Sequence, residues 1–237
     1  MNSIDIIFTP SLLQHYDVKG KTVLVVDIFR ATTVICTMFK NGAKSVIPVE
    51  NLEIAKEFKK KGYLVSAERN GKKVDFADFN NSPFVYTKDK IVDKEIVYST
   101  LNGTNAINMV KDASQVLIAS FLNLSAIVNY LTKNSSDLLI LCSGWKGKYC
   151  LEDTIFAGAI SDALLKSNLY EANCDSVTTA CEVWGNAKND LRAYADKTVQ
   201  RSRLQGLGIE DEVIDYCFSQ DSTDLIPVFQ NSLLKLM

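Results

Sequence analysis

The chain has 237 residues, of which 47% are hydrophobic and 23% charged, and its formal net charge is −2 at pH 7. This length is enough to bury a large core in one domain. No basic run or aromatic–basic pattern is present, so no nucleic-acid partner is expected. No apolar run reaches the roughly 18 residues of a membrane span, and the N-terminus lacks a signal-peptide pattern. We therefore expect a cytoplasmic protein without a membrane partner, forming a single domain over 1–237 with a soft division near 142–150.

The cysteine and histidine content limits the chemistry of the protein. Six cysteines are scattered without a Cys-x-x-Cys pair, which is typical of reduced thiols. The only histidine is His15, and its position beside an apolar pair near the N-terminus favours a surface or packing role. Histidine-based zinc sites and Ser–His triads are therefore disfavoured. Carboxylates, arginines, hydroxyls and amides must carry the chemistry.

Apolar runs alternate with helical patterns along the chain. Strands are predicted over 4–8, 23–26, 45–49, 63–67, 96–99, 115–120 and 138–142, and helices over 31–40, 51–61, 124–133, 151–166, 176–185, 189–200 and 209–218. A further helix follows the turn over 100–106 and runs to about 111. Residues 72–83 lack periodicity and are predicted to form a loop. A late strand over 224–229 contains Pro227, which is tolerated at a sheet edge. This alternation favours an α/β three-layer sandwich with a largely parallel, mixed central sheet and a helical C-terminal third packed on it.

The stretch KTVLVVDIFRATT over 21–33 combines a buried strand, a carboxylate, an arginine and the start of a helix. A helix N-terminus attracts anions, and Arg30 offers a two-pronged hydrogen bond to them. Asp27 is then available for a metal or for nucleophilic work. The alternative is that Asp27 and Arg30 form a structural ion pair.

Polar clusters follow several predicted strands, and the carboxyl ends of parallel strands share one edge of a sheet, where ligands bind. Each cluster alone has an ordinary explanation as a turn, a surface pair or favourable charge at a helix start. Together they supply carboxylates for a hard cation such as Mg²⁺ and arginines for a doubly anionic substrate. No Walker or GxGxxG motif is present. The clusters are Asp27 with Arg30, Glu68 with Arg69, the loop 80–82, the turn 100–106, and Ser143-Gly144 ahead of Glu152-Asp153.

Several motifs occur in a fixed order over nearly the whole chain. They are DIFRATT at 27–33, NGA at 41–43, AERNG at 67–71, NNSP at 80–83, TLNGTNA at 100–106, CSGWKGKYCLEDTIFAGA at 142–159, and LGIEDEVIDYCFSQDSTDLIPVF near the C-terminus. In this order the sequence resembles the 2-phosphosulfolactate phosphatase family. It departs from the family pattern at Ala67, where glycine is expected, and at Leu101, where threonine is expected. Neither departure removes a charged group.

The resemblance implies a Mg²⁺-dependent phosphatase that hydrolyses (2R)-2-phospho-3-sulfolactate to 3-sulfolactate and phosphate, a step towards coenzyme M. It also implies activity on related 2-hydroxycarboxylic acid phosphate esters, so the partner is a small phosphorylated hydroxy acid. Whether the chain forms a homo-oligomer is left open.

Site residues follow from the motifs and the resemblance together. Asp27 and Arg30 are the candidate catalytic residues. The candidate metal ligands are Asp27, Glu68, Glu152 and Asp153, and the candidate substrate contacts are Arg30, Thr32, Thr33, Arg69, Asn81, Ser82, Asn102, Gly103, Thr104, Ser143 and Gly144. Asp27 as a nucleophile and a water activated by the metal both stay open. Phe29 occupies the second position of the DxDxT pattern, which disfavours a haloacid-dehalogenase phosphatase.

Two other classes compete with an enzyme of this family. A non-catalytic α/β module that binds a small sulfonate or hydroxy acid would need the arginines and turns but not the carboxylates. A nucleotide-binding α/β enzyme is the third alternative.

Overall fold

Eleven strands joined in one sheet form the framework of the computed structural model, which describes residues 1–237. The strands are β1 (Asn2–Ile7), β2 (Thr22–Val26), β3 (Ser45–Pro48), β4 (Leu64–Arg69), β5 (Lys72–Lys73), β6 (Glu95–Ser99), β7 (Gln115–Ala119), β8 (Leu138–Cys142), β9 (Tyr170–Ala172), β10 (Pro227–Gln230) and β11 (Leu233–Leu236).

Helices connect most of these strands and make up much of the C-terminal third. They are α1 (Ala31–Lys40), α2 (Leu52–Lys60), α3 (Lys88–Ile91), α4 (Gly103–Met109), α5 (Leu124–Lys133), α6 (Leu151–Lys166), α7 (Asp175–Ala187), α8 (Leu191–Ala195), α9 (Val199–Gly206) and α10 (Asp211–Cys217). Short 3-10 turns cover Pro10–His15, Pro83–Val85 and Phe121–Asn123. None of the helices combines the length and the apolar character that crossing a membrane requires.

The strand order is β5-β4-β6-β3-β11-β10-β7-β2-β8-β1-β9. One parallel group contains β7, β2, β8, β1 and β9, and a second contains β3, β6 and β4. The β10–β11 hairpin lies between the groups and pairs antiparallel with both of them. The α/β class with a mixed, mostly parallel sheet is therefore confirmed.

The late strand does not lie at the sheet edge, as its proline suggested, but in the interior. Val228 pairs with Leu117 of β7, and the returning strand β11 pairs through Leu234 with β3. Pro227 is tolerated because it is the first residue of its strand. β11 escaped prediction because the two-residue turn Asn231-Ser232 lacks the glycine of common hairpin turns, although both residues adopt positive φ.

Three further elements differ from the sequence expectation. The predicted helix over 189–200 is instead the short helix α8, which ends at Ala195, followed by the start of α9. Thr198 caps α9 by accepting a 3.0 Å hydrogen bond from the Arg201 N–H. The predicted loop over 72–83 contains β5, which pairs back on the end of β4. β9 was not predicted, and its three residues extend the sheet beside β1.

Alternate residues of β2 enter different cores, as the period of a strand requires. Leu24 and Val26 pack with residues of α5, α6 and α7, whereas Val23 and Val25 pack with α1 and α4. Helices thus cover both faces of this part of the sheet, and α6, α7, α9 and α10 bring the C-terminal third onto one of them.

α1 is the central helix of the fold, with every residue from Ala31 to Phe39 buried. A helix that is buried on all sides must be covered on all sides. The core around α1 contains side chains from both parallel groups, such as Val25 of β2 and Tyr98 of β6. The sheet therefore curves around α1, consistent with the twist that accumulates from strand to strand.

This curvature brings together two carboxyl edges that a flat sheet would keep apart. Three successive antiparallel pairings separate the groups, so they run in opposite directions along the sheet order. Nevertheless a Cβ placed on Gly103, after β6, would overlap the Cβ of Ala31, after β2. The single edge of a parallel sheet, expected from the sequence, is replaced by two edges that face each other.

Candidate active site

A polar cavity lies where the two carboxyl edges meet. It receives residues from the ends of β2, β4, β6 and β8, from the first turn of α6, and from α9. Its lining consists of Asp27, Phe29, Arg30, Glu68, Asn70, Gly71, Asn81, Thr100, Leu101, Asn102, Gly144, Trp145, Cys150, Glu152, Asp153, Gln200 and Arg203.

Asp27 lines this cavity and binds the first N–H groups of α1. Its Oδ1 accepts the Ala31 N–H at 3.2 Å, and its backbone oxygen accepts the Thr32 N–H at 3.1 Å. The first N–H groups of α1 are therefore occupied by Asp27 itself rather than left for a ligand. Burial raises the pKa of Asp27 to about 6, and the nearby charge of Glu68 adds to the rise. The other oxygen, Oδ2, accepts no hydrogen bond from the protein.

Arg30 is a buried cation that forms no ion pair. The residue is 3% exposed, and its Nε atom is buried without a hydrogen-bond partner. Arg30 takes part in none of the ion pairs of the structure, which excludes the alternative of a structural pair with Asp27. Because leaving a charge buried and unpaired is costly, this geometry is suited to an anionic ligand.

Two of the four candidate metal ligands hold the loops of the cavity together. Asp153 accepts the Ile28 N–H at 2.8 Å and the Gly144 N–H at 3.1 Å, one on each oxygen. Glu68 accepts the Gly71 N–H at 2.6 Å and the Leu101 N–H at 3.3 Å, again one on each oxygen. Both carboxylates thus join segments that follow different strands.

The other two carboxylates keep free oxygens. Glu152 is 2% exposed, and its Oε2 is buried without a hydrogen-bond partner. Burial raises the pKa of Glu152 to about 7, and the charge of Asp27 contributes. Burial, with the charges of Glu152 and Asp27, also raises the pKa of Asp153 well above its usual range. Such mutual repulsion favours a site that receives positive charge.

No group of three or more His, Cys, Asp or Glu side chains is arranged as a ready metal centre. A cation enclosed by protein ligands alone therefore does not fit this cavity. Mg²⁺ commonly needs only one or two carboxylates, with waters and substrate phosphate completing its octahedron. Asp27 and Glu152, each with a free oxygen, fit that donor set.

Among the predicted substrate contacts, Asn81, Asn102 and Gly144 line the cavity together with Arg30. The Oδ1 of Asn81 accepts a hydrogen bond from the hydroxyl of buried Tyr98, which orients the amide. The Oδ1 of Asn102 accepts the Lys146 N–H at 3.0 Å and so links two loops of the site.

Several hydroxyl-bearing residues named from the sequence shape the loops and do not line the cavity. Thr32 Oγ1 donates to the Asp27 carbonyl at 3.0 Å, and Thr33 Oγ1 donates to the Ile28 carbonyl at 3.1 Å. Thr104 stands outside the lining and exchanges hydrogen bonds with Thr100, which belongs to it: each hydroxyl accepts the other residue's N–H. Their hydroxyls are short, and local backbone groups bind them first.

Ser82, Ser143 and Gly103 also stand outside the lining. The N–H of Ser82 binds Asn80 Oδ1 at 2.9 Å, and the N–H of Ser143 binds the Val26 carbonyl at 2.7 Å. Gly103 lies against Asp27, and its lack of a side chain permits this close approach.

Arg69 points away from the cavity. Its guanidinium donates to the Glu68 carbonyl at 2.7 Å and to Ser99 Oγ at 3.1 Å. The second guanidinium of the cavity belongs instead to Arg203 of α9, which sequence reasoning missed together with Trp145 and Gln200. Arg203 lies in a polar stretch just before the C-terminal motif that begins at Leu207, and no strand end or glycine turn marks this stretch as part of a site.

A curved α/β sheet, a buried arginine without an ion pair and the free carboxylate oxygens of Asp27 and Glu152 form a cavity suited to an anionic ligand, as enzymes of phosphoryl transfer require. The sequence model of the 2-phosphosulpholactate phosphatase family matches residues 7–232. The chain belongs to this family and is an enzyme of the phosphoric monoester hydrolase class.

Relatives of similar length support this assignment over nearly the whole chain. A probable 2-phosphosulfolactate phosphatase of Clostridium novyi (strain NT) is 39% identical, over 95% of this chain and 96% of the relative. Proteins of the same description are 36% identical in Thermotoga maritima, over 98% of both chains, and 34% identical in Caldanaerobacter subterraneus, over 96% of this chain and 95% of the relative.

Proposed function

We propose that the protein is a Mg²⁺-dependent phosphatase that hydrolyses 2-phospho-3-sulfolactate to 3-sulfolactate and phosphate. Related phosphate esters of 2-hydroxycarboxylic acids are further substrates. The observation that carries this proposal is the buried Arg30 guanidinium, which forms no ion pair and lines the cavity together with Asp27. The names of the relatives support the choice of ester.

Arg30 binds the phosphate group and orients it against Asp27. A charge-assisted hydrogen bond from a guanidinium is stronger than a neutral one, and the buried surroundings strengthen it further. Asp27 is fixed by its bond to the Ala31 N–H, so its free oxygen is held in place before substrate arrives.

Asp27 and Glu152 are the residues proposed to hold Mg²⁺. Bound Mg²⁺ supplies positive charge that stabilises the phosphoryl oxygens as the ester bond breaks. Glu68 and Asp153 act on this pair indirectly, since their bonds to backbone N–H groups fix the loops that form the cavity.

The test is phosphate release from 2-phospho-3-sulfolactate and other 2-phospho-hydroxy acids, measured with Mg²⁺ and with EDTA. We expect release with Mg²⁺ and its loss in EDTA. Full turnover in metal-free buffer would contradict the metal requirement. A protein that is thermally stabilised by the anions, is indifferent to Mg²⁺ and releases no phosphate would instead be a binding module.

A further inference from the structure

Arg203 is a cation that lines the cavity from α9, in the C-terminal third of the chain. Its guanidinium lies over the ring of Trp145, 4.9 Å from the ring centroid, and its Nε donates to Gln200 Oε1 at 2.7 Å. All three residues line the cavity. The guanidinium is thus oriented by a ring on one side and an amide on the other.

This guanidinium has no anionic partner in the protein. Arg203 takes part in no ion pair, although α9 carries another arginine, Arg201, that binds Asp196 and Asp211. Glu68 and Glu152 act on Arg203 only through their more distant charges. A planar cation held in place without a counter-charge is prepared for an anion from outside.

Two cationic positions in the cavity differ in depth. Arg30 is buried, whereas Arg203 is half-buried and therefore nearer the mouth. In 2-phospho-3-sulfolactate the carboxylate is bonded directly to the carbon that carries the phosphate, and the sulfonate is one methylene farther away. With the phosphate on Arg30, the sulfonate is the group with the longer reach towards the mouth.

We propose that Arg203, stacked on Trp145, binds the sulfonate of the substrate and sets the preference of the enzyme for sulfonated esters. This inference rests on the proposed function, since it assumes that the phosphate occupies the Arg30 end of the cavity. A guanidinium is weakly hydrated and planar, so it suits a weakly basic oxyanion such as a sulfonate.

The test compares two esters that differ in one group: 2-phospho-3-sulfolactate and 2-phospholactate, which has hydrogen in place of the sulfonate. Arg203→Met removes the charge and keeps the length of the side chain. We expect kcat/KM for the sulfonated ester to fall about 10- to 100-fold, the usual effect of losing a hydrogen bond to a charged group. For 2-phospholactate we expect a change of less than about threefold, because the lost partner is absent.

Lys197→Met is the matched control. Lys197 is also a cation over an aromatic ring, with its Nζ 4.7 Å from the Tyr194 centroid, but it does not line the cavity. We expect this variant to keep kcat/KM for both esters. Trp145→Leu should reproduce part of the Arg203→Met effect on the sulfonated ester, since it removes the surface that orients the guanidinium.

A direct binding measurement separates recognition from turnover. Isothermal titration with 3-sulfolactate should give weaker binding to Arg203→Met than to the wild type, with lactate binding unchanged. An equal loss of kcat/KM on both esters, or no loss on either, would overturn the assignment to Arg203. Wild-type protein that hydrolyses neither ester would overturn the proposed function itself.

Discussion

Gly103 lies so close to Asp27 that a Cβ at this position would come within 2.9 Å of the Asp27 Oδ2 atom. The same Cβ would overlap that of Ala31, the first residue of α1. The Asn-Gly turn after β6 therefore serves less as an anion cradle than as the point where the second carboxyl edge reaches the first. Through this contact, Gly103 limits the positions that the free Oδ2 atom of Asp27 can take.

Gly103→Ala should therefore damage the site more than the fold. Gly103 does not adopt a positive φ, so alanine fits its backbone and only the contact is disturbed. Displacing a catalytic group by ~1 Å can cost about 100-fold in rate, so we expect kcat to fall at least tenfold. Overpacking should lower the free energy of unfolding by about 1–3 kcal/mol.

Gly185→Ala is the control for this substitution. Gly185 lies inside α7, and nothing lies within 4 Å of a Cβ built there. Alanine is the better helix former by about 1 kcal/mol, so the melting temperature should stay or rise and kcat should not change. Equal activity of the two variants would show that the Gly103 contact does not position Asp27.

Arg30→Met should abolish the response to phosphate and leave the protein folded. Removing a buried charge without a partner relieves its desolvation cost, so the melting temperature should stay or rise. The measurement is the shift in melting temperature with 10 mM phosphate, which we expect in the wild type and not in the variant.

Lys21→Met is the control for this substitution, because it removes a cation that does form an ion pair. Lys21 Nζ pairs at 3.1 Å with Asp5, whose side chain is 4% exposed, so the substitution leaves a buried carboxylate with only Asn173. We expect a loss of about 2 kcal/mol in the free energy of unfolding, with the phosphate shift retained. If Arg30→Met is destabilised and still responds to phosphate, Arg30 stabilises the fold and does not bind the anion.

Glu152→Gln should stabilise the protein above neutral pH. Folding raises the pKa of this carboxyl from 4.5 to about 7, so the folded state binds the proton more tightly than the unfolded state. The stability of the folded protein with a neutral Glu152 is fully present below pH ~4.5 and is lost as the pH rises through about 7. The neutral amide of Glu152→Gln keeps this stability at every pH. At pH 8 the variant should therefore melt roughly 2–6 °C above the wild type, with no difference near pH 4.

The control is Glu57→Gln, which replaces an exposed glutamate that pairs only with Lys60. Its effect on melting should be small, since exposed pairs contribute little. If Mg²⁺ binds at Asp27 and Glu152, 5 mM Mg²⁺ should raise the melting temperature of the wild type and of Glu57→Gln but not of Glu152→Gln. A pH-independent difference between Glu152→Gln and the wild type would contradict the burial argument.

His15→Gln should leave turnover within about threefold of the wild type. His15 lies exposed at the end of a 3-10 turn and does not line the cavity. Loss of a general acid would instead lower the rate about 100-fold or more. Steady-state kinetics on 2-phospho-3-sulfolactate checks this. A 100-fold loss at an unchanged melting temperature would mean that the N-terminal turn reaches the substrate.

Much of the fold could be predicted because its signals are local. The helix over 124–133 and the strand over 138–142 were predicted with the bounds that the structure gives to α5 and β8. Their apolar periods depend only on which side chains face a core, whatever that core contains. The motif around Asp27 and Arg30 was also found this way, since a buried strand and a helix start adjoin it in the chain.

What the sequence by itself determined is thus each segment and the residue types at its end. Tertiary structure alone decided which ends meet: the hairpin of β10 and β11 entered the middle of the sheet, and curvature joined two carboxyl edges into one cavity. It also decided which side chains face that cavity, turning Arg69 to the backbone and bringing Arg203 from α9. The physical reason is that strand pairing and side-chain orientation depend on partners far away in the chain, and no local pattern records them.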